Sequence, residues 1–477
     1  MRLTRQFDNW IGGEWVGSAE RDPIADPFSG EVVGEMALGS AEDLERAIGA
    51  AEDAFTVTRG QSAWERERML RGAADGIAAR RKELVERMIA ESGKPRRFAD
   101  GEVTRAISTF TLAAEEAKRF GGEVLPVDIT EASEGYFALT RRFPRGPVAG
   151  ISPFNFPLNL IAHKVAPALA TGSTIVVKPP MQAPLTSLLL AEILASAGVP
   201  HGAVNFLHMV PEVAERLATD DRFTLLSFTG SAKVGWMLKS KAGMKPVLLE
   251  LGGNAGMIVH EDADLGWARE RAAVGAFAHA GQVCIKVQRL LVHSAVADDW
   301  IPGFVDRVDD LRMGDPRDPE TVVGPLIDDG QAERVEAWIQ EALDGGAELL
   351  AGGRREGRFI RPAVLSGAGA ELKVWREEVF GPVVVVERYR DFEQAVARID
   401  DSRYGIHAGV FTHDIRRIDH AFTNLTVGGV IVNDYPTFRV DNFPYGGVKH
   451  SGLGREGVRY AMEAMTEPRV LVFDLNH

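Results

Sequence analysis

The chain is nearly without cysteine: Cys284 is the only one in 477 residues. An internal disulfide is therefore excluded, and a free thiol points to a reducing, cytoplasmic setting. Basic charge is also in short supply, with 54 Lys and Arg against 68 Asp and Glu and a formal net charge of −14. That balance argues against nucleic acid or an anionic membrane as partner, since both need a positive surface. No apolar run reaches membrane-spanning length, and the opening "MRLTRQFDNWIGGEW" lacks the apolar stretch of a secretory signal. Repeats of fixed period and low-complexity segments are missing as well. What remains is ordinary for a soluble globular protein, 45% hydrophobic and 26% charged, with length enough for two or three domains or one large α/β unit with appendages.

Helical periodicity dominates the first part of the chain. Apolar residues recur at three and four over Ala41–Phe55, over Trp64–Lys94 as one long helix, and over Gly101–Phe120. Gly135–Pro147 alternates and predicts a protruding hairpin arm. From Pro147 the pattern changes to strand–helix alternation. Strands are expected at 147–151, 173–178, 203–208, 224–228 and 246–251, with helices at 158–170, 185–198, 211–219 and 231–242. This is the pattern of a parallel sheet covered by helices, and the fold class is α/β. A second α/β stretch follows, with strands at 288–293, 382–389 and 428–433 and a helix at 331–346. The chain closes with the Gly-rich "PYGGVKHSGLGREG", a helix and a last strand at 469–475.

Polar residues stand at the carboxyl ends of these strands, where open α/β sheets bind ligands. Asn155 lies in the Pro-flanked turn "SPFNFP", Lys178 ends "TIVVK", and Glu250 ends "LLE" before Gly252 and Gly253. Cys284 follows Gly281 and Gln282, and a glycine there permits close backbone approach. Taken singly, a packed inert thiol, a turn asparagine, a surface lysine and a solvated carboxylate account for each residue. Together they form a constellation with a nucleophile, a donor and a base. In "LLSFTGSAKVG" a strand runs into Gly230 and Ser231 at a helix start, which suits a phosphate. The G-x-G-x-x-G fingerprint is absent, and an ordinary cap explains the segment equally well.

The segments "SPFNFPLNLIAHKVAPALATGSTIVVKPP", "FTGSAKVG", "LELGGN", "GQVCIKVQ", "REEVFGPVV" and "PYGGVKHSGLGREG" resemble, in order, the aldehyde dehydrogenase superfamily. The branch it resembles acts on lactaldehyde, glyceraldehyde 3-phosphate or short semialdehydes. The resemblance implies a Rossmann-like NAD(P)-binding domain (1–124 and 144–251), a catalytic α/β domain (252–445) and a β oligomerisation arm (125–143 and 461–477). It implies Cys284 as nucleophile, Asn155 as oxyanion donor and Glu250 as the base that hydrolyses the thioester. For the cofactor it implies Lys178 at the adenosine ribose, Gly230 and Ser231 at the pyrophosphate, and Gln331 and Glu378 at the nicotinamide ribose with Phe380 beside the ring. Ile151, Ser152, Phe154, Met181, Val234 and Leu251 complete the expected contacts. Met181 stands where many NAD-preferring relatives carry a carboxylate, so NADP is admissible beside NAD. No metal is expected, and a homodimer or homotetramer is.

Asn159 and His163 follow Asn155 at i+4 and i+8, which places all three near one helix face. By resemblance that face lines the substrate tunnel, as do Arg105, Arg439 and Tyr445. Arginine suits a carboxylate or phosphate through its fork of donors. The expected substrate is a short polar aldehyde, α-hydroxy or anionic: lactaldehyde, glyceraldehyde, its 3-phosphate or a short semialdehyde. Phosphonoacetaldehyde is disfavoured by the resemblance, since relatives acting on it tend to show His where this chain has Phe156. A CoA-acylating enzyme, a redox-free thiol hydrolase and a non-catalytic binding protein that kept the fold stand as alternatives.

Overall fold

Runs such as Ile175–Lys178 and Val247–Glu250 are apolar on both faces, the mark of strands covered on two sides. They enter an eight-stranded sheet in a computed structural model that describes residues 5–476. At its centre lie four parallel strands in the spatial order Val247–Glu250, Leu225–Thr229, Val148–Ile151 and Ile175–Lys178. Register pairs Thr229 with Glu250, Phe228 with Ile151 and Ile151 with Lys178. All four strands therefore end at one edge. The far end of the sheet is extended by Val204–Phe206 and the hairpin Asn9–Ile11/Glu14–Val16.

A second, seven-stranded sheet holds Ala255–Val259, Val287–His293, Val383–Tyr389, His407–Phe411 and Gly429–Val432, with Glu348–Ala351 and Ala363–Ser366 at one side. Its pairings are parallel apart from the one between Glu348–Ala351 and Ala363–Ser366. Each sheet carries its own buried apolar cluster, one around Trp300, Phe304 and Leu290, another around Phe110, Ile161 and Phe206. The α/β class expected from the alternation is the observed one.

Three expectations need correction. The helix expected over Trp64–Lys94 is two, Ala63–Ala79 and Arg81–Ser92, broken at Arg80 (φ −100°, ψ 18°). Neither glycine nor proline marks the break, so local sequence carries no sign of it. The expected helix at 211–219 is two single turns, Pro211–Ala214 and Arg216–Thr219. The arm is not a local hairpin. Tyr136–Pro144 pairs antiparallel along its whole length with the last strand, Thr466–Asp474, and on its other side with Val124–Leu125.

Candidate active site

The edge where the four parallel strands end faces the second sheet across a cavity of about 980 Å3. Asn155, Asn159, Gly230, Ser231, Glu250, Leu251, Cys284, Gln331, Glu378, Phe380, Arg105, Arg439, Tyr445 and Phe154 all line it. Ile151, Ser152, Lys178, Met181 and Val234 lie outside that lining, around the ends of Val148–Ile151 and Ile175–Lys178 and on the helix Ala232–Lys241.

Cys284 reaches the cavity through an unusual backbone. His279, Ala280 and Gly281 are successive left-handed residues, with φ of 53°, 55° and 68°. A Cβ at Gly281 would overlap the Gly381 carbonyl, so close approach is what this glycine provides. Gly253 packs its bare Cα side against the Cys284 carbonyl in the same way. The sulfur lies 3.2 Å from the Tyr445 hydroxyl. Burial pushes the thiol up to about 11, while the Tyr445 hydrogen bond works in the opposite direction.

Asn155 donates through Nδ2 to the Gln282 carbonyl at 2.9 Å, and its Oδ1 is buried without a partner among the described residues. That bond ties the amide to the loop carrying Cys284 and leaves the second Nδ2 hydrogen for an incoming oxygen. Glu250 is buried, and among the described residues its Oε2 has no hydrogen-bond partner. Burial and the nearby Glu456 carboxylate hold its pKa well above the usual range, against the charges of Arg439, Lys164 and Arg455. Glu456 itself is brought down to about 2, because Lys164 and Arg439 outweigh its burial. Lys164 Nζ donates to Glu456 at 3.2 Å and to Thr229 at 2.7 Å, and Arg439 donates to the other Glu456 oxygen at 3.2 Å.

The cofactor side shows groups that fit a dinucleotide. Lys178 is buried, its Nζ donates to the Pro179 carbonyl at 3.2 Å, and desolvation lowers it to about 8. Ser152 Oγ is buried with no partner among the described residues. Ser231 caps the helix Ala232–Lys241, whose N–H groups open on the cavity edge. Phe154 and Phe380 meet edge to face with centroids 6.0 Å apart. Glu378 accepts from the Gly253 N–H at 3.1 Å, and burial pushes it up to about 7. A Cβ at Gly252 would collide with this carboxylate. The Gln331 side chain accepts from Arg334 at 3.0 Å.

His163 departs from its expected place. Its ring is fully buried and bonds Asp441 at 2.8 Å behind the cavity wall, so it does not face the tunnel. Asn159 does line the cavity, and its Oδ1 accepts from Thr109 at 3.0 Å. Arg105 donates to Asp441 at 2.6 Å with part of its side chain exposed. Sequence reasoning assigned nothing to Lys164, Glu456 or Asp441. Lys164 directly follows His163, and Glu456 sits in the Gly-rich closing segment, so both lay beside segments already singled out. Asp441 lies two residues after Arg439.

Residues 15–471 match the aldehyde dehydrogenase family profile. The 3-sulfolactaldehyde dehydrogenase of Priestia megaterium is 41% identical over 472 residues, covering 99% of this chain and 98% of the relative. Aldehyde dehydrogenase 21 from Physcomitrella patens, solved with the reaction product succinate, superposes with a TM-score of 0.97 at 41% identity, covering 99% of this chain and 98% of the other. Glyceraldehyde-3-phosphate dehydrogenase GapN from Methanocaldococcus jannaschii, complexed with NADP, gives a TM-score of 0.92 at 40% identity, covering 96% and 100%. The chain belongs to the aldehyde dehydrogenase family and is an NAD(P)-dependent aldehyde dehydrogenase.

Proposed function

We propose that the protein oxidises short aldehydes bearing a hydroxyl or an anionic group, with Cys284 as nucleophile, Asn155 as oxyanion donor and Glu250 as general base. The observation that carries this reading is the lining of the cavity, where Cys284, Asn155 and Glu250 share one wall system with Arg105, Arg439 and Asn159. An alkyl chain would desolvate these polar groups without replacing their partners, whereas a polar aldehyde supplies them. The names of the relatives, a sulfolactaldehyde enzyme and a structure holding succinate, support the same class.

In this mechanism the Cys284 thiol gives up its proton to solvent, the resulting thiolate forms a bond to the carbonyl carbon, and the carbonyl π pair moves onto oxygen. The free Nδ2 hydrogen of Asn155 and the Cys284 backbone N–H hold that oxygen, each donor of this type being worth about 3 kcal/mol. Lys178 would hold the adenosine ribose, Ser231 and its helix start the pyrophosphate, Gln331 and Glu378 the nicotinamide ribose, and Phe380 the ring. Bound NAD(P)+ supplies the acceptor for the hydride that leaves the same carbon. Glu250 then takes a proton from a water whose oxygen bonds the thioester carbon, and the C–S bond breaks to release the acid and return the Cys284 thiolate. Burial strengthens Glu250 as a proton acceptor, which suits that task.

We keep the division into cofactor domain (1–124 and 144–251), catalytic domain (252–445) and arm (125–143 and 461–477). Residues 1–4 and 477 lie outside the described part. The arm supports a homodimer or homotetramer, since its edge strand Thr466–Asp474 exposes Val470, Leu471, Val472 and Phe473. Among the described residues no helix is long and apolar enough to cross a membrane. A reducing, cytoplasmic setting remains the inference from the lone thiol.

The test is NAD against NADP reduction over a panel of short aldehydes. Greater kcat/KM for hexanal and benzaldehyde than for every short polar aldehyde would sink the reading.

A further inference from the structure

The Tyr445 ring is held from several sides. Its residue is 2% exposed. The Arg439 guanidinium carbon lies 3.6 Å from the ring centroid, and the His407 ring packs edge-on at 5.3 Å. The Tyr445 backbone exchanges hydrogen bonds with Glu456 in both directions, at 3.0 and 2.6 Å. The phenol oxygen is therefore a fixed point, and its hydrogen is what can turn. A phenylalanine would fill the same space, so packing alone does not call for the oxygen. Among the described residues, the one hydrogen-bond partner of that oxygen is Cys284 Sγ, at 3.2 Å.

We propose that the Tyr445 hydroxyl is a further catalytic residue that selects aldehydes with an oxygen on carbon 2: it donates to the Cys284 sulfur before attack and to that oxygen afterwards. The inference rests on Cys284 as nucleophile and on the short polar substrate class. Carbon 2 is one bond from the carbon that the sulfur attacks, so its substituent falls beside a hydroxyl already touching the sulfur. Attack turns a sulfur lone pair into the new S–C bond and weakens sulfur as an acceptor, which frees the phenol hydrogen for a better one. Much of the immediate packing is apolar, since Cys284 and Tyr445 sit in a cluster with Phe156, Val283, Ile285, Ile406 and Phe443, and among the described residues no other group hydrogen-bonds the phenol. An aldehyde with plain hydrogen at carbon 2 leaves the phenol unpaired there, which is costly. Sites built to bond a substrate hydroxyl discriminate against the analogue lacking it.

Lactaldehyde and propanal differ only by that hydroxyl, and the purified enzyme with saturating NAD(P)+ compares them directly. Wild type is expected to favour lactaldehyde in kcat/KM, and Tyr445→Phe to lower the lactaldehyde-to-propanal ratio about tenfold, over and above the loss that both aldehydes share from the missing contact with sulfur. Alkylation of Cys284 by iodoacetamide without aldehyde gives a second readout. Loss of the donor should move its rate-against-pH curve to higher pH. A wild type indifferent between the two aldehydes, or a variant with an unchanged ratio, overturns the selection. An unmoved alkylation curve overturns the contact with sulfur. A wild type that prefers hexanal and benzaldehyde to both would instead bring down the underlying substrate reading.

Discussion

Arg105 and Asp441 meet at 2.6 Å across the cavity wall, joining the helix Arg96–Arg119 to the loop that follows the second sheet. The same Asp441 carboxylate bonds His163 at 2.8 Å. Burial would raise this carboxyl, but the His163 bond and the Arg105 charge prevail and hold it far below the usual range. An ionised carboxylate only accepts, so His163 carries its hydrogen on Nε2. Burial and Arg439 lower the imidazole pKa against the pull of Asp441. Arg105 is thus fixed in place while keeping donors to offer, since a guanidinium has five.

Arg105→Ala is expected to raise KM for succinate semialdehyde about ten- to a hundredfold, the worth of one charge-assisted hydrogen bond, and to leave propanal nearly unchanged. Steady-state kinetics on the two aldehydes check this. Equal effects on both would remove Arg105 from anion binding.

Cys284→Ser should abolish dehydrogenase turnover while circular dichroism and the unfolding midpoint stay close to wild type. A hydroxyl fills the thiol's place without its nucleophilicity. Residual turnover near the wild-type rate would mean that another group attacks the aldehyde.

Glu250→Gln should give a burst of NAD(P)H close to one equivalent per site and then stall. Acylation does not need the carboxylate, whereas hydrolysis of the thioester does. Stopped-flow absorbance separates the two phases, and full steady-state turnover would exclude Glu250 as the base.

The hydrolytic phase should speed up as pH rises, because Glu250 acts deprotonated and its pKa is held high by burial and by Glu456. Glu456→Gln removes the like charge and leaves Lys164 and Arg439 without their carboxylate. The rising limb should therefore move to lower pH. A limb that stays put would break the electrostatic link between the two glutamates.

Lys94 and Glu102 form an ion pair with both side chains fully buried. The other Glu102 oxygen accepts the backbone N–H groups of Leu158 at 2.8 Å and Asn159 at 3.0 Å, at the start of the helix that follows Asn155. Glu102→Ala leaves a lysine buried without its partner and should cost about 3–5 kcal/mol of stability. Denaturant unfolding measures it, and a loss below 1 kcal/mol would mean that the site relaxes by admitting water.

The amino-acid order determined the α/β class, the positions of most strands and helices, and the placing of Asn155, Lys178 and Glu250 at strand ends. These follow from side-chain period and turn chemistry, which act over a few residues. The Gly281 approach behind Cys284 was legible for the same reason. The break at Arg80, the last strand as partner of the arm, and the turning of His163 toward Asp441 were not. Neither were the Lys164–Glu456 pair or the meeting of Tyr445 with Cys284. The three side-chain contacts among these join positions 161 to 292 residues apart. Only the packing of one sheet against the other brings them within bonding distance, because burial rewards pairing of whatever polar groups the folded chain encloses, and no local pattern records which ones those are.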